Sequence, residues 1–185
     1  MPAQQEIFGS YKNDTGPMDL KVSITIQPSD LNGYLKRCGM TADYGAAFMS
    51  ISLNHEENAR NTLSFILNEL VENAVKFSNS KEEKIDVTLS HKGDEIIFSV
   101  KNIINYNQYL YLKKYIQDYI DTSDINARYM ELLSSMSERT NLSRIGLLTI
   151  LNNFNAQIGI QIHGPDEREL YHTSIQIAVK PGEII

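Results

Sequence analysis

Leu63, Ile66, Leu67, Leu70, Val71, Ala74 and Phe77 recur at helical spacing. A stripe of that length predicts one long helix, about His55 to Ser78, which must lay one side on an apolar partner. Asn54 can cap it, and Glu56 and Glu57 suit the positive end of its dipole. On one flank of the stripe, at spacings of four and three, stand Glu69, Asn73 and Lys76. They form a polar edge beside a buried face, where a pocket between helix and sheet would find them. A carboxylate there can take a proton from a water or hydroxyl. A carboxamide oxygen can complete a Mg²⁺ shell, and a lysine can neutralise phosphate charge. Residues of these types at this spacing are also ordinary on a helix surface.

The remaining pattern supplies the partner. "LKVSITIQ" (Leu20 to Gln27) alternates and reads as a strand. "PSD" opens a helix over Leu31 to Arg37, with Gly39 as its stop, and Thr41 to Ile51 reads as a further helix. "KIDVTLSH" and "EIIFSVKN" alternate across "KGD", a hairpin signal. Two helical patterns between Asn107 and Met136 break near "TSD". A helix over "NLSRIGLLTILNNFN" is capped by Asn141 or Ser143. "AQIGIQIH" and "YHTSIQIAV" form a second strand pair. Hairpins outnumber parallel crossovers, so the expected fold is α+β: a two-layer α/β sandwich whose mixed, mostly antiparallel sheet is covered by helices on one face. The 185 residues suit one domain, over 18–185, after a loose segment over 1–17.

Composition narrows the classes. A net charge of −6 argues against general nucleic-acid binding. No apolar run is long enough for a membrane span, and no secretory signal is visible, so a cytoplasmic protein is expected. Cys38 stands alone, which excludes an internal disulfide, and it reads as a small buried hydrophobe. His55, His91, His163 and His172 show no metal-ligand spacing and are assigned no function.

"FILNELVENAVKFSN" resembles the N box of the GHKL superfamily, which includes gyrase, the ninety-kilodalton chaperones, histidine kinases and MutL. It is most similar to the kinase form, E-x-x-x-N-A-x-K-F-S/T. The element order from Leu20 to Pro181 follows the same family. The resemblance implies the Bergerat fold and assigns roles by position. Glu69 matches the carboxylate that orients or deprotonates the nucleophile, Asn73 the Mg²⁺ ligand and Lys76 the phosphate-side lysine. "VKNIINYN" matches V-x-D-x-G-x-G, so Asn102 stands where an aspartate accepts from the adenine amino group, and both glycines are absent. "SRIGLLTILNNF" matches G-x-G-L-G-L-x-I-V, of whose glycines only Gly146 remains; Arg144 could add a contact to an anion. Thr173, in "YHTSIQIAV", matches the hydroxyl of the adenine-side network.

A helical, aromatic insertion over 105–142 replaces the usual glycine-rich ATP lid. It carries Tyr106, Tyr109, Tyr111, Tyr115 and Tyr119, either packed onto the domain or offered to a partner. Nothing resembles the phospho-accepting hairpin of the histidine kinases. The chain is therefore nearer to stand-alone anti-sigma and partner-switching regulators. The implied function is regulatory signalling with ATP and Mg²⁺, and a serine/threonine protein kinase is the implied enzyme. The alternative is a degenerate pseudo-kinase that acts only by protein contact. The N box supports the first and the eroded glycine boxes the second. Implied partners are a sulfate-transporter/anti-sigma-antagonist (STAS-type) domain or a response regulator, and homodimers are common in the group.

Overall fold

In a computed structural model, the described residues are 4–13, 18–27, 34–53, 56–80, 83–120, 124–134 and 142–184. The expected caps Asn54 and Asn141, His55, the "PSD" start and the side chains of Tyr119, Ser143 and Arg144 lie outside them. The elements are β1 (Gln4–Gly9), β2 (Leu20–Ile26), α1 (Tyr34–Ser50), α2 (Glu56–Lys76), β3 (Ile85–Lys92), β4 (Glu95–Ile104), α3 (Tyr106–Tyr115), α4 (Ile125–Ser134), α5 (Leu142–Asn153), β5 (Gln157–Gly164) and β6 (Tyr171–Val179). A π-helical turn, Ile116–Ile120, extends α3.

The six strands form one sheet in the order β1-β5-β6-β4-β3-β2. Every pairing is antiparallel, so the expectation of a mixed sheet is corrected. The helices lie on one face, which makes the two-layer α/β sandwich. Alternation builds the core directly. Ile85, Val87 and Leu89 of β3, Ile96, Phe98 and Val100 of β4, and Ile177 and Val179 of β6 are buried beneath the helices. Leu63, Ile66, Leu67, Leu70 and Val71 of α2 meet them from above. Cys38 is buried in this core, and burial pushes its thiol up to about 11.

Two expectations about the first fifty residues fail. Gly39 does not stop a helix, because α1 runs unbroken through Gly39 and Gly45. A Cβ on Gly45 would stand 2.8 Å from Leu67 Cδ2. The glycine cost in a helix, about 1 kcal/mol, is therefore outweighed by close packing of α1 on α2.

Residues 4–13 are not loose either, while 1–3 and 14–17 of the expected loose segment lie outside the described residues. Residues 4–9 add an edge strand to β5, and residues 10–13 then cross the face of the sheet that carries no helix. Tyr11 donates its hydroxyl to Ser174 Oγ at 3.0 Å. The buried side-chain amide of Gln176 accepts from Lys12 N–H at 2.9 Å and donates to Lys12 C=O at 3.0 Å. Lys12 also pairs with Glu95. This strap leads from one edge strand of the sheet towards the other, β2.

The insertion docks through its first helix. Asn105 and Gln108 form a reciprocal capping box that starts α3. Tyr109 donates to Glu6 at 2.7 Å and stacks on Tyr171 with ring centroids 4.2 Å apart. Lys113 pairs with Glu6. Tyr111 stacks on Phe77 at 5.6 Å. Tyr109 and Tyr111 thus tie α3 to β1, β6 and the end of α2.

Candidate functional site

The C-terminal half of α2 roofs a narrow cleft over the sheet. Leu70, Asn73, Ala74 and Phe77 come from α2, and Val100, Asn102, Ile104, Ile160, Thr173 and Ile175 from the sheet. Gln108, Tyr111, Leu112 and Tyr115 enter from α3, and Leu147 from α5. The space left between them is about 90 Å³, and its walls are almost wholly apolar. Ligand pockets for molecules of drug size or larger measure roughly 300–1,000 Å³.

The predicted residues divide between this cleft and its surroundings. Asn73, Asn102 and Thr173 line it. Asn102 and Thr173 are paired across β4 and β6, and Thr173 donates its hydroxyl to Asn102 Oδ1. The Asn102 Nδ2 donates to Ala74 C=O at 3.1 Å. That carbonyl lies where α2 ends. A further helical turn would give it the Ser78 N–H, but Ser78 N–H bonds Val75 C=O instead. Asn102 therefore acts as a side-chain cap on the C-terminal end of α2, a task that requires a donor. An aspartate would have none. The departure from the aspartate of the resembling family has a structural cause in this chain.

Glu69 and Lys76 do not line the cleft. Lys76 is exposed, with its ammonium 5.5 Å from the Phe77 ring centroid. Glu69 turns towards α5, where a Cβ on Gly146 would stand 1.7 Å from Glu69 Oε2. Gly146 thus leaves room for a carboxylate between two helices. At about 100° per residue, Glu69 and Lys76 lie about 40° and 60° further around α2 than Asn73. That rotation is enough to turn them out of the cleft.

Burial, and then the nearby Glu72, raise the Glu69 carboxyl above its ordinary value. The sign follows directly. A folded value above the unfolded one means that charged Glu69 opposes folding as pH rises through that range. Glu69→Gln should therefore raise the melting temperature at pH 7, and the gain should vanish on acidification below the unfolded carboxyl value. Thermal melts of both proteins from pH 3.5 to 8 check this. A variant that melts lower at every pH would show that the carboxylate is held by a favourable partner.

The cleft as it stands does not fit a nucleoside triphosphate with its metal. It is too small and too apolar, and α3 supplies the side chains on its open side. What the sequence did not signal was this occupancy. The N-x-x-Q capping box at Asn105 was the local cue for where α3 starts. Nothing local indicates that Tyr111, Leu112 and Tyr115 line the cleft.

No helix among the described residues is long and apolar enough to cross a membrane, and these residues include no cluster of three or more metal-ligating side chains. The sequence matches no family model and no curated protein. The structure is similar to a chain of the crystal structure of the SiaB–SiaC complex from Pseudomonas aeruginosa, with a TM-score of 0.60 and 14% identity. The match covers 88% of this chain and 91% of that one, so the likeness extends over the whole α/β sandwich, as a likeness of fold.

Proposed function

We propose that this chain is a regulatory signalling protein that works by contact with another protein, with α3 occupying the hollow where the resembling kinases hold nucleotide. The observation that carries this reading is the cleft beside Asn73: about 90 Å³, apolar, and walled from α3 by Tyr111, Leu112 and Tyr115. The outer side of the same helix suits a protein partner. Tyr106 and Leu110 are exposed there, at 55% and 46%, and exposed tyrosine is favoured at interfaces. The fold neighbour was crystallised in a two-protein complex, which supports a protein partner for this chain as well. A STAS-type domain or a response regulator remains the partner class implied by the resemblance.

One observation favours a second reading, in which Mg·ATP binds and the protein is a serine/threonine kinase. Asn73, Asn102 and Thr173 all face one cleft, as the resemblance requires. On that reading α3 must first leave.

Calorimetry separates the two. With Mg·ATP and with ADP at about 1 mM, the wild type should give no binding heat. A dissociation constant below about 1 mM for the wild type would overturn the contact-only reading. Binding that appears only in a Tyr111→Ala/Leu112→Ala variant would mark α3 as a gate over a latent nucleotide site.

A further inference from the structure

Helix α1 is apolar on both sides. Its inward side, through Cys38, Ala42, Ala46 and Met49, is buried on α2 and the sheet. Its outward side carries Met40, Tyr44, Phe48 and Ile51, exposed at 63%, 60%, 39% and 72%. Met40, Tyr44 and Phe48 recur at i, i+4 and i+8 along one face of the helix, and Ile51 continues the strip in the turn just past its end, about 16 Å in all. A contiguous exposed apolar strip of this kind marks an interaction surface. Nothing in the described chain covers this outward face.

The ends of the stripe say what does. Lys36 and Arg37, both exposed, extend it at the N-terminal end of α1. Glu56 and Glu57, also exposed, open α2 just beyond the C-terminal end. Among the described residues, none of the four forms an ion pair within the chain. An apolar strip that is basic at one end and acidic at the other is self-complementary under a two-fold axis. Two copies laid antiparallel set Lys36 and Arg37 of each against Glu56 and Glu57 of the other, and stack the four apolar residues between them. A C2 interface needs one patch that complements itself. A parallel arrangement would bring like charges together at both ends.

We infer that α1 is a homodimer interface, formed by antiparallel pairing of its Met40–Tyr44–Phe48–Ile51 face with the same face of a second copy. A contact of this size belongs among the smaller specific interfaces, so the dimer should dissociate in the micromolar range. Its occupant is a second copy and not the partner that docks on α3, so the two surfaces can be used at once.

Sedimentation velocity of the full chain over a range of concentrations tests the assignment. The wild type should shift from monomer to dimer across the micromolar range. Tyr44→Glu should raise the dissociation constant at least about tenfold. Arg37→Glu and Glu57→Arg should each weaken the dimer about three- to tenfold, because each removes two bridges per dimer and sets like charges together. The double variant Arg37→Glu/Glu57→Arg should recover wild-type association, since both bridges re-form with reversed sign. All these residues are exposed, so circular dichroism melts close to wild type should show that the fold is kept. A wild type that stays monomeric at the highest concentration, or a double variant no better than the singles, overturns the proposal.

Discussion

Gly159→Val should lower stability by about 3 kcal/mol and the melting temperature by roughly 6–12 °C. Gly159 lies in β5 on the helix-free face, directly beneath the strap of residues 10–13. A Cβ there would stand 2.3 Å from Tyr11 Cα, 2.5 Å from Tyr11 N and 2.8 Å from Ser10 C. All three are backbone atoms, so no rotamer change relieves the clash. The sheet beneath is fixed by pairing to β1 and β6, so the strap must lift. Lifting it breaks the Tyr11–Ser174 bond, both bonds between Lys12 and the Gln176 amide, and the Lys12–Glu95 pair. Ser174 and Gln176 are buried under it and lose their partners, and orphaned polar groups cost about 1–3 kcal/mol each when water does not reach them. Water will reach most of this face once the strap has gone, which keeps the total moderate. Gly159→Ala should follow the same direction with a smaller loss, because its Cβ meets the same atoms. Thermal melts give the size of the effect, and amide hydrogen exchange locates it. The Lys12 N–H should exchange rapidly in the variant and slowly in the wild type. A Lys12 amide that remains protected in Gly159→Val would show that the strap does not depend on this contact.

That strap marks where sequence reading stops. The period of α2 is a local code, and the stripe from Leu63 to Phe77 placed the helix to within two residues at each end. Both hairpins of the sheet, β3–β4 and β5–β6, were likewise written in alternation. Residues 4–13 carry no such code. "QQEIFG" is half polar because it forms an edge strand, and its partner β5 lies near the other end of the chain. The buried Gln176 alternates as an outward residue should; that its amide mimics a strand edge for Lys12 is a long-range fact. Gly39 misled for the opposite reason. Local propensity marks it as a breaker, and the packing of α1 against α2 overrides it. The site was legible in part. The resemblance put Asn73, Asn102 and Thr173 around one cleft, and the register of β4 with β6 brings the last two into contact. Helical spacing set Glu69 and Lys76 on the same flank as Asn73 without the resolution to tell a cleft wall from the groove against α5, where Glu69 sits, or from solvent, where Lys76 sits. Whether the cleft is hollow depends on side chains of α3 and lies beyond any local pattern.

Asn102→Asp, which restores the residue found at this position in the resembling kinases, should destabilise this protein by about 3 kcal/mol at pH 7. The side chain is buried, and its surroundings define what it must do. Oδ1 accepts from Thr173, which an aspartate oxygen can also do. Nδ2 donates to the carbonyl of Ala74, which a carboxylate opposes with a negative oxygen. The substitution leaves Ala74 without its donor and places a charge among Val100, Ile104 and Ile175, with no cation among the residues that line the cleft. Such a carboxyl is pushed above its ordinary value by burial and by the facing carbonyl. The loss should therefore be small below about pH 4, where unfolded aspartate is itself protonated, and grow as pH rises. Melting temperatures of the wild type and variant between pH 3.5 and 8 should diverge with pH. Asn102→Ala separates charge from bonding, because it loses the cap on α2 and the Thr173 acceptor at all pH values. The same variant bears on function. If aspartate were absent only because the chain drifted from an ATP-binding ancestor with an open site, Asn102→Asp would bring back nucleotide binding and leave stability untouched. With α3 seated in the hollow and the α2 carbonyl in need of a donor, it should do neither.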